Sequence, residues 1–256
     1  MTVLNADQRA QLTQLIKTQS KHSDYQFLHP LLTDALDLDY KPAGKHETPR
    51  QTYMQTHMPV AGKSVLDIGA NTGFFSLAAL QAGAASVVCV EGNFQHAQFM
   101  QACAQILNLS DRMVIQNRYY DFTQETKDHF DVMLCLNVLH HLGDDFGNPE
   151  LAREEAKLQM IQALNHLASQ TNTLWFQLGF NWKGDRHAPL FEEGLKSELI
   201  DFVTHNTSDH WHIRKIAVVH PETLAYVDAQ GDMLQRFDKL GEFLNRPLFL
   251  MESKHQ

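Results

Sequence analysis

No stretch of this sequence is apolar for long enough to span a bilayer, so a transmembrane helix is not expected. Met1 to Arg9 also lacks the basic segment followed by an apolar one that marks a secretion signal. Cysteine is scarce and odd in number, with Cys89, Cys103 and Cys135 the whole set. Cys89 and Cys135 lie inside apolar, strand-like runs, where a buried thiol is the ordinary reading. A reduced, cytoplasmic setting fits that usage. Basic residues are outnumbered: 21 Lys and Arg face 30 Asp and Glu, a formal net charge of −9. A protein that tracks a phosphate backbone carries a basic footprint, and its lack here counts against a nucleic-acid partner. Histidine is plentiful, at 15 residues, but no H-x-x-x-H or C-x-x-C spacing gathers metal ligands, so no metal is expected. The adjacent pair His140-His141 is the one local concentration. Internal repeats, low-complexity tracts and a linker to a second domain are missing as well. Nothing indicates an oligomeric state.

What is present is a chain of 256 residues with 43% hydrophobic and 20% charged content, enough for one large domain or a domain with an appendage. Asn5 followed by Gln8 reads as a capping box, opening a helix through about Ser20 with Leu12, Leu15 and Ile16 on one face. Residues 29–47 are loop-like, with Pro30, Pro42 and Gly44. Thr48-Pro49-Arg50-Gln51 reads as a second helix start, with Thr48 as cap, and that helix stops before Pro59. From Ser64 onward strand and helix alternate. Strands are expected at Ser64–Ile68, Ser86–Glu91, Arg112–Gln116, Asp131–Leu136 and Thr173–Leu178. Helices are expected at Phe74–Gln81, Phe94–Leu107 and roughly Glu150–Ala168. Phe99, Met100, Cys103 and Ile106 mark one apolar face, and Leu158, Ile161, Leu164 and Ala168 another. Short, nearly all-apolar strands such as Val87 to Val90 suit a parallel sheet covered on both faces, hence a doubly wound α/β domain. A helix around Leu190–His205 then precedes two strand-like segments, Ile213–Val219 and Pro247–Met251.

The most informative stretch is Val65 to Leu77. An apolar strand interrupted by Asp67 runs into a turn bearing Gly69, Asn71 and Gly73, and an apolar helix follows. That is the layout of a nucleoside-type site at the end of a parallel strand. Its spacing is G-x-N-x-G rather than G-x-G-x-x-G, and Phe74 follows Gly73. A dinucleotide-dependent oxidoreductase is therefore disfavoured. Glu91 ends the second strand, 24 residues after Asp67. A carboxylate there can accept both ribose hydroxyl protons, or it can be a solvated strand-end acid. Asn93 reads first as the N-cap of the next helix and secondarily as a ligand contact.

Asp67-x-Gly69-x-Asn71-x-Gly73, Glu91 and the later Phe130-Asp-Val-Met-Leu-Cys-Leu-Asn-Val-Leu-His-His-Leu142 closely resemble class I S-adenosylmethionine-dependent methyltransferases. The resemblance covers roughly residues 60–180. It implies a seven-stranded, mostly parallel sheet with an antiparallel C-terminal edge, in a methyltransferase domain over 61–256, preceded by an N-terminal helical cap over 1–60. It implies S-adenosyl-L-methionine as cofactor, with the first turn against its methionine part and Glu91 on its ribose. Asp67 either orders the turn by accepting amides or shapes the site through water. Arg118 and Tyr119 fall where the adenine edge is expected, and Asp121 comes late for that role. Arg50 and Tyr53 lie on a helix that covers the cofactor in many relatives. Arg50 either pairs the methionine carboxylate or is a solvated arginine.

The same resemblance puts Asn137 to His141 where donor and acceptor meet. Asn137 faces the cofactor by side chain or carbonyl, and His140 or His141 acts as general base or simply packs the turn. Trp182, Lys183 and Arg186, on the loop after the fifth strand, are candidate substrate contacts or ordinary surface. The combination of G-F-F-S, V-x-H-H and Arg246-Pro247 to Leu250 is also similar to methyltransferases of bacterial surface-polysaccharide assembly. The expected function is methyl transfer to a small-molecule or glycan-type acceptor. The alternatives are a tRNA-modifying methyltransferase and a non-catalytic donor-binding partner subunit.

Overall fold

The computed structural model describes residues 5–17, 26–33 and 46–255, and the chain divides into two units, Met1–Tyr120 and Asp121–Gln256. The first unit opens with α1 (Ala6–Lys17). Its start is the expected reciprocal cap: the Asn5 amide donates to Gln8 Oε1 at 3.0 Å and the Gln8 amide to Asn5 Oδ1 at 2.9 Å. Leu12 and Ile16 are buried, and α1 packs on a later helix of the same unit. Residues 18–20, the expected end of this helix, lie outside the described residues, as do Pro42 and Gly44. Pro30 begins a single helical turn, α2 (Pro30–Thr33), within the segment expected as loop.

Helix α3 (Glu47–His57) starts one residue before the expected cap. His46 holds the cap position at φ +66° and Thr48 is already helical, its carbonyl accepting the Thr52 hydroxyl at 3.0 Å. The Thr-Pro signal is satisfied either way, because the first-turn amide that proline lacks has no helical acceptor. Then β1 (Ser64–Ile68), α4 (Phe74–Gln81), β2 (Ser86–Val90), α5 (Phe94–Ile106) and β3 (Met113–Gln116) alternate as expected. The strands lie parallel in the order β3-β2-β1. Every residue of α4 from Phe74 to Leu80 is buried, as an apolar helix without a polar face requires. It ends before Gly83, at φ +90°.

The second unit carries β4 (Phe130–Leu136), α6 (Arg153–His166), β5 (Thr171–Gln177), α7 (Lys196–Thr207), β6 (Trp211–Val219), β7 (Tyr226–Asp228), α8 (Gly241–Leu244) and β8 (Leu248–Ser253). β4 and β5 are parallel, and β8, β6 and β7 follow in that spatial order with antiparallel pairing. The antiparallel end is as expected, but among the described residues the strands number eight rather than seven. The added one, β7, has three residues, too few for an alternating pattern to register. α6 begins at Arg153 because the Glu155 carboxylate takes the Ala152 amide at 3.1 Å, and α7 begins at Lys196 because Glu198 takes the Leu195 amide at 2.9 Å. Leu158, expected on the apolar face of α6, is 59% exposed, whereas Ile161, Leu164 and Ala168 are buried. No helix among the described residues is long and apolar enough to cross a membrane.

Candidate active site

The turn after β1 is saturated by internal hydrogen bonds. The amides of Gly69 and Ala70 donate to the Val90 carbonyl, at 2.8 and 3.3 Å, and that of Asn71 to Glu91 Oε2 at 2.7 Å. Thr72 donates to Asn71 Oδ1 at 2.8 Å, Gly73 to the Ala70 carbonyl at 2.9 Å, and Phe74 to Gln26 Oε1 at 2.9 Å. A pyrophosphate is held by just such amides, pointed outward from a glycine turn and a helix N-terminus. Each of them already has an acceptor inside the chain. The backbone bends through φ +73° at Gly69, +53° at Asn71 and +83° at Gly73, the left-handed region that glycine and asparagine tolerate.

What the turn keeps is negative charge. Glu91 is buried and spends one lone pair of each oxygen on the backbone, Oε2 on Asn71 and Oε1 on the Asn93 amide at 2.7 Å. A carboxylate has about four acceptor positions. Asp67 is buried at the end of β1 and accepts the Ser76 hydroxyl at 2.6 Å, while the Cys89 thiol donates to that hydroxyl at 3.1 Å. Burial pushes the Asp67 carboxyl up to about 6; the Ser76 hydrogen bonds pull it back, and the charge of Glu91 adds to the rise. Two carboxylates and no spare amide suit a cationic nucleoside ligand and oppose an anionic one.

Gln26 went unrecognised in the sequence, since nothing local marks it. Its buried Oε1 takes the Phe74 amide and the Thr72 hydroxyl, capping α4 from 48 residues away. Close by, the edge of His29 meets Phe74 at 5.4 Å, and burial lowers the imidazole to about 4, so it stays neutral. Arg50 is 2% exposed with its guanidinium 5.4 Å from the Phe75 ring, which overturns the reading of a solvated arginine. Tyr53 is buried beside His57. Asn93 is the N-cap of α5, accepting the His96 amide at 3.1 Å. At the exit of β3, Asn117 Nδ2 donates to the Glu91 carbonyl at 2.9 Å and fixes the acid's backbone. Tyr119 is exposed and lies so close over Gly92 that a Cβ there would stand 2.3 Å from its ring. The Arg118 guanidinium is turned to Gln116 at 3.0 Å.

In the second unit Asn137 directly follows β4 at φ +63° and joins a network that sequence distance conceals. Its Nδ2 donates to Gln177 at 3.0 Å and its Oδ1 accepts from Arg246 at 2.9 Å. Arg246 forks onto Glu242 through two bonds of 2.9 and 2.6 Å, and Glu242 accepts the Phe180 amide at 2.9 Å. The strand-end segments after β4 and β5 are thus locked to the C-terminal segment.

The two histidines differ. His140, 2% exposed, accepts the Gly179 amide on Nδ1 at 3.3 Å, and its ring fills the space a Cβ on Gly179 would need. His141 Nδ1 lies 3.4 Å from Asp145 and 3.8 Å from Asp144. The ligand atoms of that trio lie within 4.8 Å of one another, a grouping a cation could occupy. Trp182 donates through Nε1 to the Leu142 carbonyl at 2.7 Å, and Lys183 through Nζ to the Pro149 carbonyl at 3.0 Å. Arg186 is exposed and donates to His187 at 3.1 Å. The loop after β5 is therefore stitched to the loop after β4.

Residues 66–157 match the model of a family described as a methyltransferase domain. Over 95 residues the chain is 27% identical to a ubiquinone biosynthesis O-methyltransferase of Neisseria meningitidis serogroup A / serotype 4A; the match spans 37% of this chain and 40% of that protein's length. Among solved structures, WbdD in a co-crystal with the kinase inhibitor LY294002 shares the fold at a TM-score of 0.58 and 16% identity, covering 94% of this chain and 47% of that one. A chain in a complex between the Haloferax volcanii Trm112 methyltransferase activator and a methyltransferase aligns at 0.52 and 14% identity, covering 83% and 91%. The saturated turn and its carboxylates thus fall inside a stretch, residues 66–157, that is similar to a methyltransferase domain, whose methyl donor is S-adenosylmethionine.

Proposed function

We propose that the chain transfers a methyl group from S-adenosylmethionine to a small-molecule or glycan-type acceptor, with His141 as general base where the acceptor must lose a proton. The observation that carries the donor half is the turn itself, whose six consecutive amides are internally bonded beside two carboxylates. Glu91, at the end of the second strand, holds the ribose hydroxyls. Asp67 shapes the turn through Ser76, and Gly69, Asn71, Gly73 and Asn93 form its wall. Arg50 and Tyr53 serve the methionine end; Arg118 and Tyr119 serve the adenine. Residues 1–60 act as the helical cap of a methyltransferase domain at 61–256, and Gln26 supports that reading by closing α4.

When bound, S-adenosylmethionine supplies a methyl group already activated by the sulfonium, so positioning provides most of the acceleration. Where the acceptor is a hydroxyl, His141 Nε2 would take the proton that the hydroxyl gives up. His140 is the packing member of the pair, because its Nδ1 is committed to Gly179. Asn137 presents its backbone at an angle the Arg246 network fixes. Trp182, Lys183 and Arg186 select the acceptor. The net charge of −9 disfavours a tRNA substrate.

The test is a labelled-methyl screen of cell-extract fractions with wild-type protein and His141→Gln. Label should pass to a low-molecular-mass or glycan fraction with the wild type, and His141→Gln should lose transfer while keeping donor affinity by calorimetry. Label in tRNA would replace the acceptor assignment. Donor binding without transfer to any fraction would make the chain a donor-binding subunit.

A further inference from the structure

We propose that Asp145 is the positioning residue of His141, holding the imidazole proton on Nδ1 so that Nε2 is presented as the acceptor. The inference rests on His141 being the base. The ring belongs to a single 3-10 turn, Leu139–His141, and is held on two sides. His140 lies against it at 4.3 Å between centroids and 41° between planes, and on another side Gly184 approaches so closely that a Cβ would stand 3.3 Å from Cε1. Ring orientation is therefore set by packing, with Nδ1 toward the following loop.

Asp145 Oδ2 is the nearer carboxylate atom, 3.4 Å from Nδ1, with Asp144 at 3.8 Å. The loop that carries them folds back on the histidine: the amides of Asp144 and Asp145 both donate to the His141 carbonyl, at 3.0 and 3.1 Å. Catalytic hydrogen bonds are commonly long without substrate and tighten in the loaded complex, and 3.4 Å is a few tenths beyond a full one. The Asp145 side chain is 21% exposed against 32% for Asp144, so its charge is the less screened.

The other charged groups nearby are turned elsewhere. Lys183, on the 3-10 turn facing His141, spends Nζ on the Pro149 carbonyl, and Asp185 of the same segment accepts the His187 amide. On α6, Arg153 and Lys157 both pair with Glu154, and Glu155 takes the Ala152 amide. The carboxylates at 144 and 145 thus dominate the field at Nδ1. A carboxylate there favours the Nδ1–H tautomer and stabilises the imidazolium that forms when Nε2 takes a proton.

Long-range proton–nitrogen NMR of the histidine rings tests this without an acceptor, with His141 assigned by its loss in His141→Gln. Neutral His141 should be mainly the Nδ1–H tautomer. In Asp145→Asn its titration midpoint should fall by about half a pH unit or more and the tautomer preference should relax; Asp145→Glu should restore both, and Asp144→Asn should do less. An unchanged tautomer and midpoint in folded Asp145→Asn would overturn the positioning role. So would a shift of the His141 signal on adding magnesium chloride that Asp144→Asn and Asp145→Asn abolish equally, which assigns the trio to a cation. The methyl screen with His141→Gln reads the base assignment separately, so either idea can fall while the other stands.

Discussion

At neutral pH an ionised Asp67 sits buried in the first unit, accepting the Ser76 hydroxyl at 2.6 Å. Its folded pKa is raised, to about 6, so between about pH 4 and 6 the folded chain keeps a proton that the unfolded chain has released. The stability this group contributes is present below pH 4 and is lost as pH rises through 6, on the order of 3 kcal/mol. Asp67→Asn should therefore gain stability relative to wild type at pH 7, and less or none at pH 4.5, in guanidinium unfolding at the two pH values. Equal differences at both would show that Asp67 does not titrate in that window. Glu91 answers to a different experiment. Glu91→Gln turns one acceptor oxygen into a donor facing a backbone N–H, and donor affinity should drop at least tenfold, about 1.4 kcal/mol. An unchanged Kd in a folded variant removes the ribose role.

The helix that follows the turn is capped by a residue from another segment. Gln26→Ala strips the acceptor from the Phe74 amide and the Thr72 hydroxyl, which should cost about 1–2 kcal/mol of stability. Hydrogen exchange should show the loss concentrated at the Phe74 amide, which Gln26 accepts; uniform exchange would contradict it. In the second unit, Arg246→Ala leaves Glu242 and Asn137 without their guanidinium, a loss of about 3 kcal/mol, readable as a lower denaturation midpoint. Arg246→Lys should recover only part, because an ammonium cannot fork onto Glu242. The alternating elements were legible in sequence because their apolar periods are long and their breaks are glycines. The capping box at Asn5 was legible for the same local reason. β7 was not, having three residues, and neither was the burial of Arg50, which depends on Phe75 standing beside a different helix.

For the molecule as a whole, ligand choice follows from how the first turn spends its amides. S-adenosylmethionine at a hundred times its Kd should stabilise the chain by about 2.7 kcal/mol, seen as a raised melting temperature, whereas NAD and ATP should leave it unmoved. Stabilisation by NAD would refute the reading of the turn. The sequence by itself determined the alternation of strands and helices, the donor turn and the acid after the second strand, because each is a local pattern of period, glycine and charge. Only the tertiary structure decided that the turn's amides are already bonded, that Gln26 closes α4, that Arg246 binds Asn137, and that His140 and His141 differ. Those outcomes depend on contacts between residues tens of positions apart, or on the surroundings of two identical side chains. Spacing along a chain carries no record of either.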